Sequence, residues 1–197
     1  MNKVIITNNS AIIAVDIQND FCPGGALPVP DGDAVVYSMN LYITKFSKMG
    51  LPVYFTRDWH PQNHISFKTN GGIWPEHCIQ ETYGAELHKK LLIPSRAVII
   101  SKGISPDDEG YSGFQGTDLD KRLKAKNIRQ LFIGGLATDY CVRSTVLDAL
   151  HAGFDVVFLS DASKGVDVNT GDSEQAIDEM LREGAVKVVY GDIRWQH

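Results

Sequence analysis

Little in this chain of 197 residues points to a membrane, a disulfide scaffold or a nucleic acid. The apolar run Ala11–Val15 falls far short of the roughly 20 residues that span a bilayer. The opening MNKVIITNNSAIIAVD lacks the apolar core and cleavage site of a secretory signal, so a reducing, cytoplasmic setting is expected. Cysteines are few: Cys22, Cys78 and Cys141 are an odd set without a C-x-x-C pair, which argues against a disulfide framework or a four-cysteine zinc site. Basic charge is also scarce. A net charge of −5 excludes a general nucleic-acid surface, which needs clustered Lys and Arg. The one dense basic stretch, Lys121–Arg129, has helical spacing and reads as a solvated face. No G-x-G-x-x-G or G-x-x-x-x-G-K-[ST] follows any predicted strand, which disfavours a dinucleotide or a cradled phosphate. No repeat, low-complexity segment or linker divides the chain, so residues 1–197 are expected to form one domain.

What is present is enough for a sizeable core, at 43% hydrophobic and 22% charged. Apolar runs predict strands at Ala11–Val15, Val53–Thr56, Ala97–Ile100, Leu131–Ile133, Phe154–Leu159 and Val186–Tyr190. Helical spacing is found over Asp33–Gly50, Glu86–Leu92, Thr117–Lys126 (with Thr117 as cap) and Asp172–Glu183. A further helix follows the strand at 131–133, with Thr138 or Asp139 as cap, Val142, Val146, Ala149 and Leu150 on one face, and Gly153 as stop. Strands alternate with helices. The expected fold is therefore α/β, a three-layer Rossmann-like arrangement of a six-stranded, mostly parallel sheet flanked by helices. Ligands in such sheets bind beyond the carboxyl ends of the strands. Asp16, Asp58, Lys102 and Cys141 each lie at or just past such an end, so residues from separate strands should meet on one edge.

Cys141 falls where a turn becomes a helix. Free N–H groups and the helix dipole there favour a thiolate, and the same N–H groups could hold an oxyanion. A lone cysteine in such a segment is more often a small apolar core residue than a nucleophile. The catalytic reading needs a base and a positive charge, and Asp16 and Lys102 are the candidates. Alone, each has a plain alternative, a loop-start aspartate and a surface lysine. A second group is Asp58-Trp59-His60, with His64 and His77 downstream: a carboxylate and imidazoles suit one divalent ion, Zn²⁺ first, with Mn²⁺ or Fe²⁺ as alternatives. Scattered loop histidines are the competing explanation. His64 is a fourth ligand or a group that fixes the loop. Phe21, Trp59, Trp74 and Tyr111 lie in the same loops and could wall a flat aromatic substrate.

Several motifs coincide: VDIQNDFCPGGAL (15–27), TRDWHPQNHISF (56–67), WPEHC (74–78), SKG (101–103), GYSGF (110–114) and GGLATDYCVRSTVLDA (134–149). By these motifs the chain resembles the nicotinamidase/pyrazinamidase group of the isochorismatase-like cysteine hydrolases over nearly its whole length. The resemblance implies a catalytic triad of Asp16, Lys102 and Cys141. It implies oxyanion donors from the backbone of Ala137 and Cys141, with a cis peptide just before Ala137. It implies metal ligands at Asp58, His60 and His77, a pyridine ring held between Phe21 and Trp74, and Tyr111 in the pocket. The activity implied is hydrolysis of nicotinamide, and of pyrazinamide-like analogues, through a thioester, as in NAD salvage. The partner is then a small molecule, with neither nucleic acid nor membrane, and a homo-oligomer is left open. The departure from the family pattern is a longer acidic insertion, SPDDE (105–109), before Tyr111. The competing readings are a related hydrolase acting on another small amide or on isochorismate, a non-haem iron enzyme using the Asp/His/His set, and a non-enzymatic relative. The iron enzyme would leave Cys141 and Lys102 without a role. The non-enzymatic relative should have lost part of the triad.

Overall fold

The computed structural model describes residues 3–195. Strands β2 (Ser10–Val15), β3 (Val53–Asp58), β4 (Val98–Lys102), β5 (Gln130–Leu136), β6 (Asp155–Lys164) and β7 (Val186–Val188) form one sheet in the order β4-β3-β2-β5-β6-β7. Every adjacent pair is parallel. The central strand β2, SAIIAV, is buried at every position, as a strand covered on both faces must be. One face packs on α1 (Val35–Lys48), which buries Val36, Met39, Ile43 and Phe46 at helical spacing. The other face packs on α2 (Leu119–Ala125), α3 (Arg143–His151) and α4 (Asp172–Arg182), through Leu119, Leu123, Val146, Ala149 and Met180. This is the expected three-layer α/β fold.

The sheet's register places the chemistry. Asp58 and Lys102 are Cα partners across β3 and β4, so their side chains leave the sheet on the same side. Asp16 is the first residue past β2, in a left-handed conformation at φ 48°, and its N–H donates to the Thr56 carbonyl at 3.2 Å.

Several local expectations are corrected. Glu86–Leu92 is not a helix. Leu87 pairs antiparallel with Gln18, the His88 N–H donates to the Ile17 carbonyl, and the Glu86 carbonyl accepts the Asn19 N–H. With the Glu86 carbonyl and the His88 N–H committed to another segment, the helical ladder does not form over 86–92. The strand at 97–100 ends at Lys102 as expected, which places that residue at the sheet's carboxyl edge. The last strand ends at Val188, before a tight turn over Tyr190–Asp192. A short parallel ribbon, β1 (Val4–Ile5) with β8 (Ile193–Arg194), had no sequence signal.

Candidate active site

Cys141 sits in a wide, π-type turn over Thr138–Val142 that leads into α3. Neither Thr138 nor Asp139 caps this turn through its side chain. Asp139 instead accepts the N–H groups of Val166 and Asp167 at 2.9 and 2.7 Å, which holds the loop after β6 against the turn. The Leu136–Ala137 peptide is cis. The Ala137 carbonyl accepts the N–H of Tyr140 and of Val142, each at 3.1 Å.

Asp16, Lys102 and Cys141 come together, all buried. Lys102 Nζ lies 2.8 Å from Asp16 Oδ2 and 3.4 Å from Cys141 Sγ. It also donates to the Gly110 carbonyl at 2.8 Å and to Asp58 Oδ1 at 2.5 Å. Asp16 Oδ1 accepts the Thr56 hydroxyl at 2.6 Å, while Oδ2 is paired with the Lys102 ammonium. Oδ2 is the oxygen left to exchange a proton within the trio.

The charges of the group set one another. Burial alone would discharge Lys102, but Asp16 and Asp58 outweigh it and hold the ammonium well above its usual pKa. Burial pushes Asp58 up, but Lys102 and His60 hold it well below the usual carboxylate range. Asp16 is raised, chiefly by burial and with help from Asp58, against the pull of Lys102. A raised carboxylate suits a general base. The Cys141 thiol is pushed up by burial, more than Lys102 offsets, and Asp16 and Asp58 raise it further. This corrects the expectation of a thiolate made at the helix N-terminus: the resting group is the thiol, and its proton needs an acceptor.

Asp58, His60 and His77 form the second group, with one ligand atom of each within 4.8 Å of the others. Backbone carbonyls fix both imidazoles. His60 Nδ1–H donates to the Gly103 carbonyl at 2.9 Å and His77 Nδ1–H to the Pro75 carbonyl at 2.8 Å, which leaves Nε2 of each ring as the nitrogen open to a ligand. His60 Nε2 is 3.5 Å from Asp58 Oδ2. Burial lowers the His77 pKa and keeps that ring neutral, as a ligand must be. Two imidazoles beside a carboxylate held ionised are a donor set that fits a divalent ion. Gly103 is required here: at φ 59°, a Cβ would run into the His60 ring.

His64 stands apart from this set. Its Nδ1 accepts from Ser66, at 2.7 Å from the hydroxyl, and its Nε2–H donates to the Asp108 carbonyl at 2.8 Å, so both nitrogens are used. It packs on His60, ring centroids 3.9 Å apart, as the loop-fixing group. Asp108 belongs to the acidic insertion, and the Pro106 carbonyl there also accepts the Ile65 N–H at 2.8 Å. The insertion thus buttresses the histidine loop.

The two groups open into one small cavity lined by Phe21, Leu27, Asp58, Trp74, His77, Tyr111, Ala137, Tyr140, Cys141 and Val166. Its aromatic walls suit a flat ring. Trp74 Nε1–H donates to the Tyr111 hydroxyl at 2.9 Å, and Tyr140 meets the Trp74 ring edge-on at 4.9 Å. Trp59 does not join this wall; it stacks under Arg57, 3.7 Å from guanidinium carbon to ring centre.

Sequence reasoning gave no role to Thr56, Gln18, Leu27, Tyr140 or Val166. Gln18 is fully buried and grips the backbone of Asp58 on both sides, taking its N–H and donating to its carbonyl, each at 2.8 Å. Gln18 and Thr56 both lie inside the quoted motifs, two positions from Asp16 and Asp58 respectively; their partners lie 40 residues away in sequence.

With this geometry in place, comparison with known proteins is informative. The family described as the isochorismatase domain matches residues 10–188. The chain belongs to the isochorismatase family. Within it, the chain falls in the nicotinamidase/pyrazinamidase group. It is 40% identical to the nicotinamidase of Escherichia coli (strain K12), over 92% of this chain and 95% of that one. The pyrazinamidase of Pyrococcus horikoshii, solved in complex with zinc, is 51% identical with a TM-score of 0.89, covering 92% of this chain and 99% of that one. A protein of L. infantum solved in complex with nicotinate is 32% identical with a TM-score of 0.90, covering 98% of each chain.

Proposed function

We infer that the chain hydrolyses nicotinamide to nicotinate and ammonia through a thioester on Cys141. The observation that carries this reading is the shared cavity: a buried Asp/Lys/Cys trio and an Asp/His/His set open onto one small, aromatic-walled space. The comparisons support the substrate, since the relatives are named as nicotinamidases or pyrazinamidases.

In this reading Phe21 and Trp74 hold the pyridine ring, with Tyr111 fixing Trp74, so that the amide carbon faces Cys141. A divalent ion held by Asp58, His60 and His77, Zn²⁺ by the precedent of the P. horikoshii relative, would act as a Lewis acid that anchors the pyridine nitrogen. Cys141 Sγ gives its proton to Asp16 Oδ2 and bonds to the amide carbon, and the carbonyl electron pair moves onto oxygen. The N–H groups of Ala137 and Cys141 receive that oxyanion. Asp16 returns the proton to the amide nitrogen, the C–N bond breaks, and ammonia leaves a thioester. Water then gives a proton to Asp16 as its oxygen bonds to the thioester carbon. Collapse releases nicotinic acid, which ionises to nicotinate by giving its proton to solvent or ammonia, and the thiolate, which recovers the proton from Asp16. Lys102 stays charged throughout and balances the carboxylates.

The site draws on a single chain, with residues 1–197 as one domain. Among the described residues no helix is long and apolar enough to cross a membrane, and Cys22, Cys78 and Cys141 are all unpaired. The free thiols support a reducing, cytoplasmic setting. The test is ammonia release from nicotinamide by the purified protein, loaded with Zn²⁺ or stripped by chelator. Release in the first case and its loss in the second is expected; no release when loaded contradicts the reading.

A further inference from the structure

Asp20 belongs to neither group, yet its carboxylate joins the two loops that wall the cavity. Oδ2 accepts the N–H of Cys78 at 2.7 Å, one residue past His77. Oδ1 accepts the N–H of Ala26 at 3.1 Å, one residue before Leu27. The Leu27 N–H in turn donates to the Asp20 carbonyl at 3.0 Å. Phe21, next in sequence to Asp20, sets its ring 5.6 Å from the His77 ring. So one carboxylate ties the segment bearing a candidate cation ligand to the segment bearing two cavity walls. Cys78 itself is in a left-handed conformation at φ 47°, which is strained for a non-glycine residue and persists only where surrounding contacts enforce it. The Asp20 carboxylate is such a contact.

Gly84 makes room for this clamp. The three atoms nearest a Cβ built on Gly84 all belong to the Asp20 carboxylate, within clashing range, and the Gly84 backbone is outside the left-handed region. Alanine at that position would therefore press first on the carboxylate.

We propose that Asp20 is a positioning residue whose carboxylate, seated on Gly84, fixes His77 relative to Phe21 and Leu27, so that binding of the divalent ion and binding of the ring depend on one clamp. This rests on reading Asp58, His60 and His77 as the cation ligands. A carboxylate that merely braced the fold would affect thermal stability and leave metal affinity alone.

The test uses Asp20→Asn, which keeps one acceptor oxygen but turns an NH₂ toward the other N–H, and Gly84→Ala, which leaves Asp20 in place and pushes its carboxylate aside. Each full-length protein, stripped of metal, is titrated with Zn²⁺ against a competing chelator, and its steady-state constants on nicotinamide are measured at saturating Zn²⁺. Zn²⁺ affinity should fall about 10-fold or more in each, the usual loss when a residue behind a metal ligand is altered. KM should rise at saturating Zn²⁺ with a much smaller change in kcat. Adding Gly84→Ala to Asp20→Ala should cost nothing further, because the new methyl then meets no carboxylate. Wild-type Zn²⁺ affinity in both single variants, whatever their Tm, overturns the proposal. A wild-type protein that neither binds Zn²⁺ nor releases ammonia overturns instead the reading beneath it.

Discussion

Lys102 donates to Asp58 at 2.5 Å, and through this contact the Asp/Lys/Cys trio and the Asp/His/His set become one buried network. In the sequence the two groups are separate, and in the sheet they are neighbours because Asp58 and Lys102 face each other across β3 and β4. The single ammonium serves both carboxylates.

Lys102→Met should therefore damage more than catalysis. It leaves Asp16 and Asp58 buried without their counter-charge, and losing one partner of a buried ion pair costs about 3–5 kcal/mol. Denaturant unfolding should show that loss alongside loss of turnover. An unchanged unfolding midpoint would mean that the ammonium balances neither carboxylate.

Asp16→Asn keeps the shape of the side chain but cannot take the thiol proton, and the raised thiol needs an acceptor. Turnover should fall by at least about 10²-fold, the lower range for removal of a general base. Nicotinamide binding should change far less. Near-normal turnover would move the base elsewhere.

Cys141 should be the first of the three thiols to react with a small alkylating agent, because it lines the cavity with Asp16 beside it to take its proton, while Cys78 is fully buried and Cys22 does not line the cavity. Nicotinate in the cavity should slow the reaction. Peptide mapping after brief labelling reads this out, and first labelling at Cys22 or Cys78 would contradict the assignment.

His60→Ala removes one of three protein ligands, and two make a poor site for a divalent ion. Metal content should drop, with KM on nicotinamide raised more than kcat is lowered. Full metal content in this variant would remove His60 from the set.

How much of this was legible in the sequence varies by physical cause. Buried parallel strands announce themselves as apolar runs, so Ala11–Val15 and Leu131–Ile133 were readable, and with them the edge where Asp16, Asp58, Lys102 and Cys141 meet. Segment 86–92 was misread because Leu87 and Leu91 have helical spacing, whereas the conformation is decided by backbone bonds to Ile17 and Asn19, far away in the chain. The state of the Cys141 thiol was misjudged for a similar reason. The helix start is local and visible; the burial and the two carboxylates that outweigh it come from other strands. His64 could not be sorted from His60 and His77 by residue type, since the difference lies in the Asp108 carbonyl and Ser66 occupying both its nitrogens.

The most direct test of the account is ammonia release by Cys141→Ala. The variant keeps Asp58, His60, His77 and the aromatic walls, so it should bind Zn²⁺ and nicotinamide as the wild type does while releasing no ammonia. A Cys141→Ala protein that still releases ammonia from nicotinamide would contradict the thioester route and everything assigned to Asp16 within it.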